Sequence, residues 1–324
     1  MSLALLRYND SLQHDWDNFV LERAINGSIL HTRKFYNHNA SNKLDDHSFL
    51  IYNNGKIIAL IPFTISAKDG GLVLNSHPRA TYGGFVISKE VNIKEAVNLL
   101  ELVIEESKSL GIKEIIIRNP FRILYNIHGD EMDYAMWFHG FTIKSRELEI
   151  AIQLDKKEIL QSRYTKGAKS GVNKARKIIL VEESEEYEAF WALLEKSLSE
   201  KYNAKPTHNF SDFCNLRVCL SNDKIKLFVA KFEGKIIAGV LIFVVNKVCV
   251  HAQYIAYDIL YQNVRPLNIL IDYISNWAYG NGYKYFNLGM ANENNGRIIN
   301  HGLYKFKESY GGRGILRETM NLSI

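Results

Sequence analysis

Two twelve-residue stretches of the chain are versions of one another. FLIYNNGKIIAL at 49–60 and FVAKFEGKIIAG at 228–239 share Phe, Gly, Lys, Ile, Ile and Ala in register, offset by 179 positions. Each reads as a strand, a two-residue turn (Asn54-Gly55, Glu233-Gly234) and a second strand, the signature of a β-hairpin. The segments C-terminal to the two hairpins also correspond. VNIKEAVNLLELVIEESKSLGIKEIIIR has apolar residues at helical spacing, then Gly111, then a β-rich run, and PLNILIDYISNWAYGNGYKYFNLG repeats that order through Gly282. A chain that says the same thing twice at this distance predicts two mixed α/β domains, 1–154 and 155–324, each with a mixed central sheet flanked by helices. The join near 150–165 carries no Pro or Ser run, so packed domains are expected rather than a flexible tether.

Composition removes several alternatives. With 47% hydrophobic, 12% aromatic and 23% charged residues the chain is globular rather than disordered or fibrous. The longest apolar run, Ile236 to Val245, spans ten positions and contains Gly239, well short of the ~20 residues a bilayer-crossing helix needs. The opening MSLALLRYNDSLQHDWD has neither the basic flank nor the cleavage site of a secretion signal, so the cytoplasm is the expected compartment. Cys214, Cys219 and Cys249 form no Cys-x-x-Cys pair and the ten histidines no His-Glu-x-x-His, so reduced thiols and no metal are expected.

The net charge of +5 is too small for bulk nucleic-acid binding, and DNA is not an expected partner. Its distribution says more: residues 1–154 carry net −2 and residues 155–324 net +7. The excess concentrates in RYTKGAKSGVNKARK, where Arg163, Lys166, Lys169, Lys174, Arg176 and Lys177 occur without one acid before EESEEYE begins. Such a run suits a solvated helix face or a clamp for a diphosphate or another anionic ligand.

Four further blocks are distinctive: SHPRATYGGFV at 76–86, NPFRILYNIHGDEMDYAMWFHGF at 119–141, VHAQYIA at 250–256 and GMANENNGRIINHGLYKFKESYGGR at 289–313. In this order, on a duplicated α/β unit, they resemble the tandem acyltransferase domains of the GNAT superfamily, and specifically FemAB-like proteins of the type encoded among surface-polysaccharide genes. The resemblance covers nearly the whole chain. It implies an N-acyltransferase acting on an amine of a sugar, or of a nucleotide- or lipid-linked envelope precursor, hence a small or lipid-linked anionic substrate. The donor it implies is acyl-CoA, with aminoacyl-tRNA, used in the FemAB branch for peptidoglycan precursors, as the alternative. The chain departs from the acetyl-CoA pattern at one place. Where an Arg/Gln-x-x-Gly-x-Gly/Ala loop would present amides to a pyrophosphate, it reads Gln262-Asn263-Val264-Arg265-Pro266-Leu267-Asn268, without either glycine. tRNA is the less favoured partner, because the charge is low and residues 185–222 are too short for a long helical arm. A third reading is a non-catalytic module that binds glycans or nucleotide sugars.

Amide formation needs an amine held in line with a carbonyl, a proton acceptor, and donors for the developing oxyanion. Strand alternation in VHAQYIAYD puts His251 and Gln253 on one face, with Tyr254 on the other, and makes His251 a candidate base with Gln253 and Tyr254 as substrate contacts. Glu293, just beyond the strand YFNLG, is the competing base. In the tail GLYKFKESYGG, a strand would project Lys305 and Lys307 to one side and Phe306 to the other. The family resemblance gives Phe306-Lys307 a role in substrate or transition-state binding, so Lys307 joins the catalytic candidates and Lys305 and Phe306 the binding ones. Arg163, Lys166 and Lys169 complete the anion site with them. Tyr82, Gly83 and Gly84 are expected to admit a ligand close to the backbone of the first domain.

Overall fold

The computed structural model describes residues 3–38, 45–68, 70–78, 80–154 and 157–324; Arg79 and Asp155, the latter the expected start of the second domain, lie outside them. The chain divides into two compact units, Met1–Glu147 with Asn294–Arg297 and Leu316–Ile324, and Leu148–Glu293 with Ile298–Ile315.

In the first unit, strands Leu3–Arg7, Phe49–Asn53, Lys56–Ile61 and Val86–Ile87 form an antiparallel sheet. A second set runs Phe63–Lys68, Gly71–Ser76, Ile112–Arg118, with Gly71–Ser76 and Ile112–Arg118 parallel, and residues Thr319–Ser323 pair antiparallel with Ile112–Arg118. The connecting helix Ile93–Ser109 begins in a capping box, Asn92 accepting from the Glu95 amide while Glu95 reaches back. It buries Leu99, Leu100, Val103 and Ile104 against Ile115 and Ile117 of the next strand.

The second unit is built on Leu180–Ser184, Ile225–Phe232, Lys235–Val244, Cys249–Tyr257, Tyr285–Met290 and the later part of Thr142–Gln153, in that spatial order. All neighbours are antiparallel except Cys249–Tyr257 and Tyr285–Met290. Helices Lys166–Ala175 and Pro266–Gly280 bury Ala168, Val172, Leu270 and Ile274 in the main core. Against another part of the sheet, helices Tyr187–Tyr202 and Phe210–Leu220 supply Trp191 and Phe213, stacked at 4.7 Å, with Tyr254 edge-on to Trp191 at 5.3 Å. The fold is thus the mixed α+β arrangement expected, with helix-covered sheets.

Both expected hairpins form, and they match beyond their sequences. Asn54 and Gly55 have φ of 48° and 76°, Glu233 and Gly234 φ of 50° and 76°, the left-handed pair that a two-residue hairpin turn demands. Each hairpin also carries a β-bulge at the same place, between Ile51 and Tyr52 in one and between Ala230 and Lys231 in the other. The helix, glycine and strand after each hairpin form as expected: Ile93–Ser109, Gly111, Ile112–Arg118, and Pro266–Gly280, Gly282, Tyr285–Met290.

Candidate active site

The two parallel strands of the second unit pair only over Cys249↔Tyr285, Val250↔Phe286 and His251↔Asn287, although both continue further. Beyond His251 they part, and an opening between the ends of parallel strands is where α/β sheets place ligands. Gly289 lies just past the last pair with φ of 76°. A Cβ added to it would stand 3.6 Å from His251 Cε1 and 3.9 Å from Lys307 Nζ, so the imidazole and the ammonium flank one methyl-sized space.

Lys307 is held there from below. It is 3% exposed, and its Nζ donates to the carbonyls of Gly289 (2.9 Å) and Met290 (2.8 Å). The Asn287 side chain accepts from the Gly289 amide (2.8 Å) and donates to Glu149 Oε2 (2.6 Å), with Glu149 itself 2% exposed. Burial pushes the Lys307 pKa down to about 8, while the Glu149 carboxylate works in the other direction. Burial and the same carboxylate push the Cys249 thiol far up, so Cys249 offers no thiolate near neutral pH. The result is an imidazole beside an ammonium that titrates close to physiological pH, at the mouth of a sheet opening: groups suited to proton transfer and to stabilising a developing negative charge.

Lys307 reaches this position by a route the sequence did not indicate. Residues His301–Glu308 are a helix, capped by Asn300 accepting from Leu303 N (3.0 Å), rather than a strand. At ~100° per residue, positions two apart diverge. Lys305 is accordingly exposed, Lys307 buried and Phe306 half-buried, edge-on to Tyr310 at 5.4 Å. The same-face pairing of Lys305 and Lys307 is corrected on that ground.

His251 and Gln253 do not share a face either, contrary to simple alternation. The register along Lys235–Val244 passes from Leu241↔Tyr254 to Ile242↔Ala252, so Gln253 is the extra residue of a β-bulge and the alternation resets there. Val250 and Ala252 before it, and Ile255 and Tyr257 after it, pack into the same core. His251 therefore shares its face with Tyr254. The Tyr254 hydroxyl is 2.7 Å from His208 Nδ1, which places a second imidazole on that side of the sheet.

The remaining candidates scatter. Glu293 is exposed on a short hairpin, Asn292–Glu293 with Ile298–Ile299. Arg163 donates to the Gln153 carbonyl (3.2 Å), and its Cβ would lie 2.6 Å from a Cβ on Gly311. Lys166 and Lys169 line a shallow depression with Ser170, Asn173, Lys174 and Lys177 on the outer face of helix Lys166–Ala175, and neither Lys305 nor Lys307 is in that lining. In the first unit, Tyr82 is 2% exposed and edge-on to Phe121 at 5.1 Å. The space a Cβ would need at Gly83 is filled by His77 Cβ (2.7 Å), and at Gly84, with φ of 77°, by Pro120 Cδ (3.0 Å) and the Arg118 carbonyl (3.1 Å). These glycines let two segments of the protein approach one another. His31, neutral because burial lowers its pKa to about 4, holds the segment by donating from Nε2 to the Gly83 carbonyl (2.8 Å).

Residues 162–307, which contain the sheet opening, His251, Gly289 and Lys307, match the family model described as an acetyltransferase (GNAT) domain. The chain carries a GNAT domain. Its structure resembles FemX (15% identity, TM-score 0.73, over 99% of this chain and 97% of that one). It also resembles the C-terminal domain of a putative lysylphosphatidylglycerol synthetase from Agrobacterium fabrum (14%, 0.62, 97% and 92%). A tandem GNAT protein from the clavulanic acid biosynthesis pathway is similar over 99% of this chain and 98% of its own, at 9% identity and TM-score 0.53. A search of curated proteins gave no match. The fold is the FemAB-like GNAT fold.

Two features of the GNAT domain bear on its donor. Helix Pro266–Gly280 starts with Arg265 at φ of 62° as its N-cap and proline in the first turn. Pro266 has no N–H, and the Asn268 amide is already given to the Arg265 carbonyl (3.1 Å), so Leu267 alone among the first three positions offers an amide. This departure is legible in the sequence, whereas the places of Glu149, Asn287 and Gly289 emerge only in the structure. A polar Asn in the middle of the apolar run YFNLG was the available signal.

Proposed function

We propose that the GNAT domain transfers an aminoacyl group from an ester-linked carrier to an amine of a cell-envelope precursor. The observation that carries the choice of donor is the start of helix Pro266–Gly280, which lacks the row of free amides a coenzyme A pyrophosphate would need. An aminoacyl ester of tRNA needs no such cradle. Likeness to FemX and to a protein named as a putative lysylphosphatidylglycerol synthetase supports aminoacyl chemistry in this fold.

In this reading the acceptor amine nitrogen attacks the ester carbonyl at the opening beside Gly289. The Lys307 ammonium stabilises the oxyanion that forms, His251 takes the proton the amine loses, and the ester C–O bond breaks with that proton passing to the departing carrier oxygen. Asn287 and Glu149 hold Lys307 and the Gly289 turn in place. The match to an acetyltransferase domain supports a second reading, acyl transfer from acyl-CoA to the amine of a sugar or polysaccharide precursor, at the same opening.

The two are separated by presenting purified protein with a charged tRNA pool and with acyl-CoAs, against amino sugars, UDP-amino sugars and peptidoglycan precursors, and tracking product mass. The proposal expects transfer that ribonuclease abolishes. Ribonuclease-resistant transfer with stoichiometric release of free thiol replaces it with the acyl-CoA reading, and no transfer from either donor removes both.

A further inference from the structure

The lysine run of the second unit is left unused by this chemistry. On helix Lys166–Ala175 the buried positions are Ala168, Gly171, Val172 and Ala175, which turns Lys166, Lys169, Ser170, Asn173 and Lys174 outwards, with Lys177 just beyond. From Lys166 to Lys174 the stripe extends about 12 Å along the axis. No acid occurs between Gln161 and Val181, and none of the four lysines enters an ion pair among the described residues. Of the acids that follow along the chain, Glu182 and Glu186 are matched with Lys231 (2.8 and 2.5 Å) and Glu183 with Lys226 (2.8 Å). An ordinary solvated helix mixes its signs; this face does not.

The residues adjoining the stripe select among polyanions. Immediately after Lys177, Ile178 and Leu180 are 50% and 59% exposed, at the start of the edge strand Leu180–Ser184. Single strands of RNA are gripped by aromatic rings and by arginine planes on which bases stack. The depression is lined by no aromatic residue, and Arg176 is drawn away to Asp272 (3.0 Å). Lysines on flexible stems beside protruding aliphatic side chains are the composition of a lipid interface, where charge meets headgroups and the aliphatics enter the acyl boundary. We infer that this face docks the protein on an anionic lipid bilayer. The inference stands on the stripe and the two aliphatics alone, whichever donor the active site uses.

The test is sedimentation of the full chain with phosphatidylcholine vesicles, with and without phosphatidylglycerol. Binding is expected only with phosphatidylglycerol, and is expected to weaken as salt rises from about 0.1 M to about 1 M and the screening length falls from ~10 to ~3 Å. Each lysine near an anionic surface is worth about fivefold in affinity, so the pair Lys169→Gln/Lys174→Gln should lose about 25-fold. Ile178→Ser/Leu180→Ser should weaken binding at least about fivefold while leaving its salt dependence intact. All four positions are exposed, and melting curves confirm that the variants fold. Failure to bind phosphatidylglycerol vesicles, or binding indifferent to both pairs, overturns the assignment. A gel shift of unfractionated RNA that the lysine pair abolishes and the aliphatic pair leaves alone, without vesicle binding, assigns the stripe to RNA and overturns it as well.

Discussion

Lys307 gives the sharpest test of the active-site geometry, because burial sets its pKa at about 8. At that value the ammonium is roughly nine-tenths populated at pH 7 and one-tenth at pH 9. If the ammonium stabilises the oxyanion, kcat should fall about tenfold between those pH values; a neutral amine acting as base predicts a rise instead. Lys307→Met should cost about 10² to 10³ in kcat at pH 7, the usual loss of an oxyanion donor, and should remove the alkaline fall. Glu149→Gln deletes the carboxylate that favours the ammonium, so its alkaline fall should begin at lower pH than in the parent. Stability supplies an independent readout. The unfolded lysine keeps its proton to about 10.5 and the folded one only to about 8, so the buried charge costs roughly 3 kcal/mol at neutral pH. That cost is present below pH 8 and fades as pH rises towards 10.5, so parental stability should climb across this window relative to Lys307→Met. Initial rates by product mass and chemical denaturation from pH 6 to 10 would measure both. A parental kcat that stays flat from pH 7 to 9.5, or an alkaline fall that persists in Lys307→Met, refutes the role.

Gly289→Ala forces a methyl into the space between His251 and Lys307 at φ of 76°, and should cost about 1–2 kcal/mol in stability and a larger share of activity, with turnover falling more than melting temperature indicates. Asn287→Ala strips a buried carboxylate of its 2.6 Å donor and should destabilise by about 2–3 kcal/mol, read by urea denaturation. Gly234→Ala at φ of 76° meets no neighbour within 4 Å, so only backbone strain of about 1 kcal/mol is expected, with unchanged transfer kinetics.

The hairpins were legible because a two-residue left-handed turn with its flanking strands is a local code, and the helix-glycine-strand units because a 17-residue and a 15-residue helix leave a long periodic trace. The tail was not. An eight-residue helix whose inward positions include a lysine does not show an apolar period, and Asn300 as its cap was the one cue. The bulge at Gln253 arises from pairing with a strand that sequence alone cannot align. Glu149 and Asn287 escaped notice because a buried polar pair is defined by the partner, 138 positions away.

The last strand carries a consequence for synthesis. Residues Leu316–Ile324 belong to the first unit, and Asn321 bonds Glu114 across 207 positions, whereas every segment of the second unit precedes Leu316. Domains usually fold in the order the ribosome makes them. Here the first unit cannot complete its sheet until residues Leu316–Ile324 are made, after every segment of the second. Until then Ile112–Arg118 lacks its Thr319–Ser323 partner, a row of amides and carbonyls of the kind that invites mispairing. The half of the molecule made first is therefore the half that most needs protection during translation.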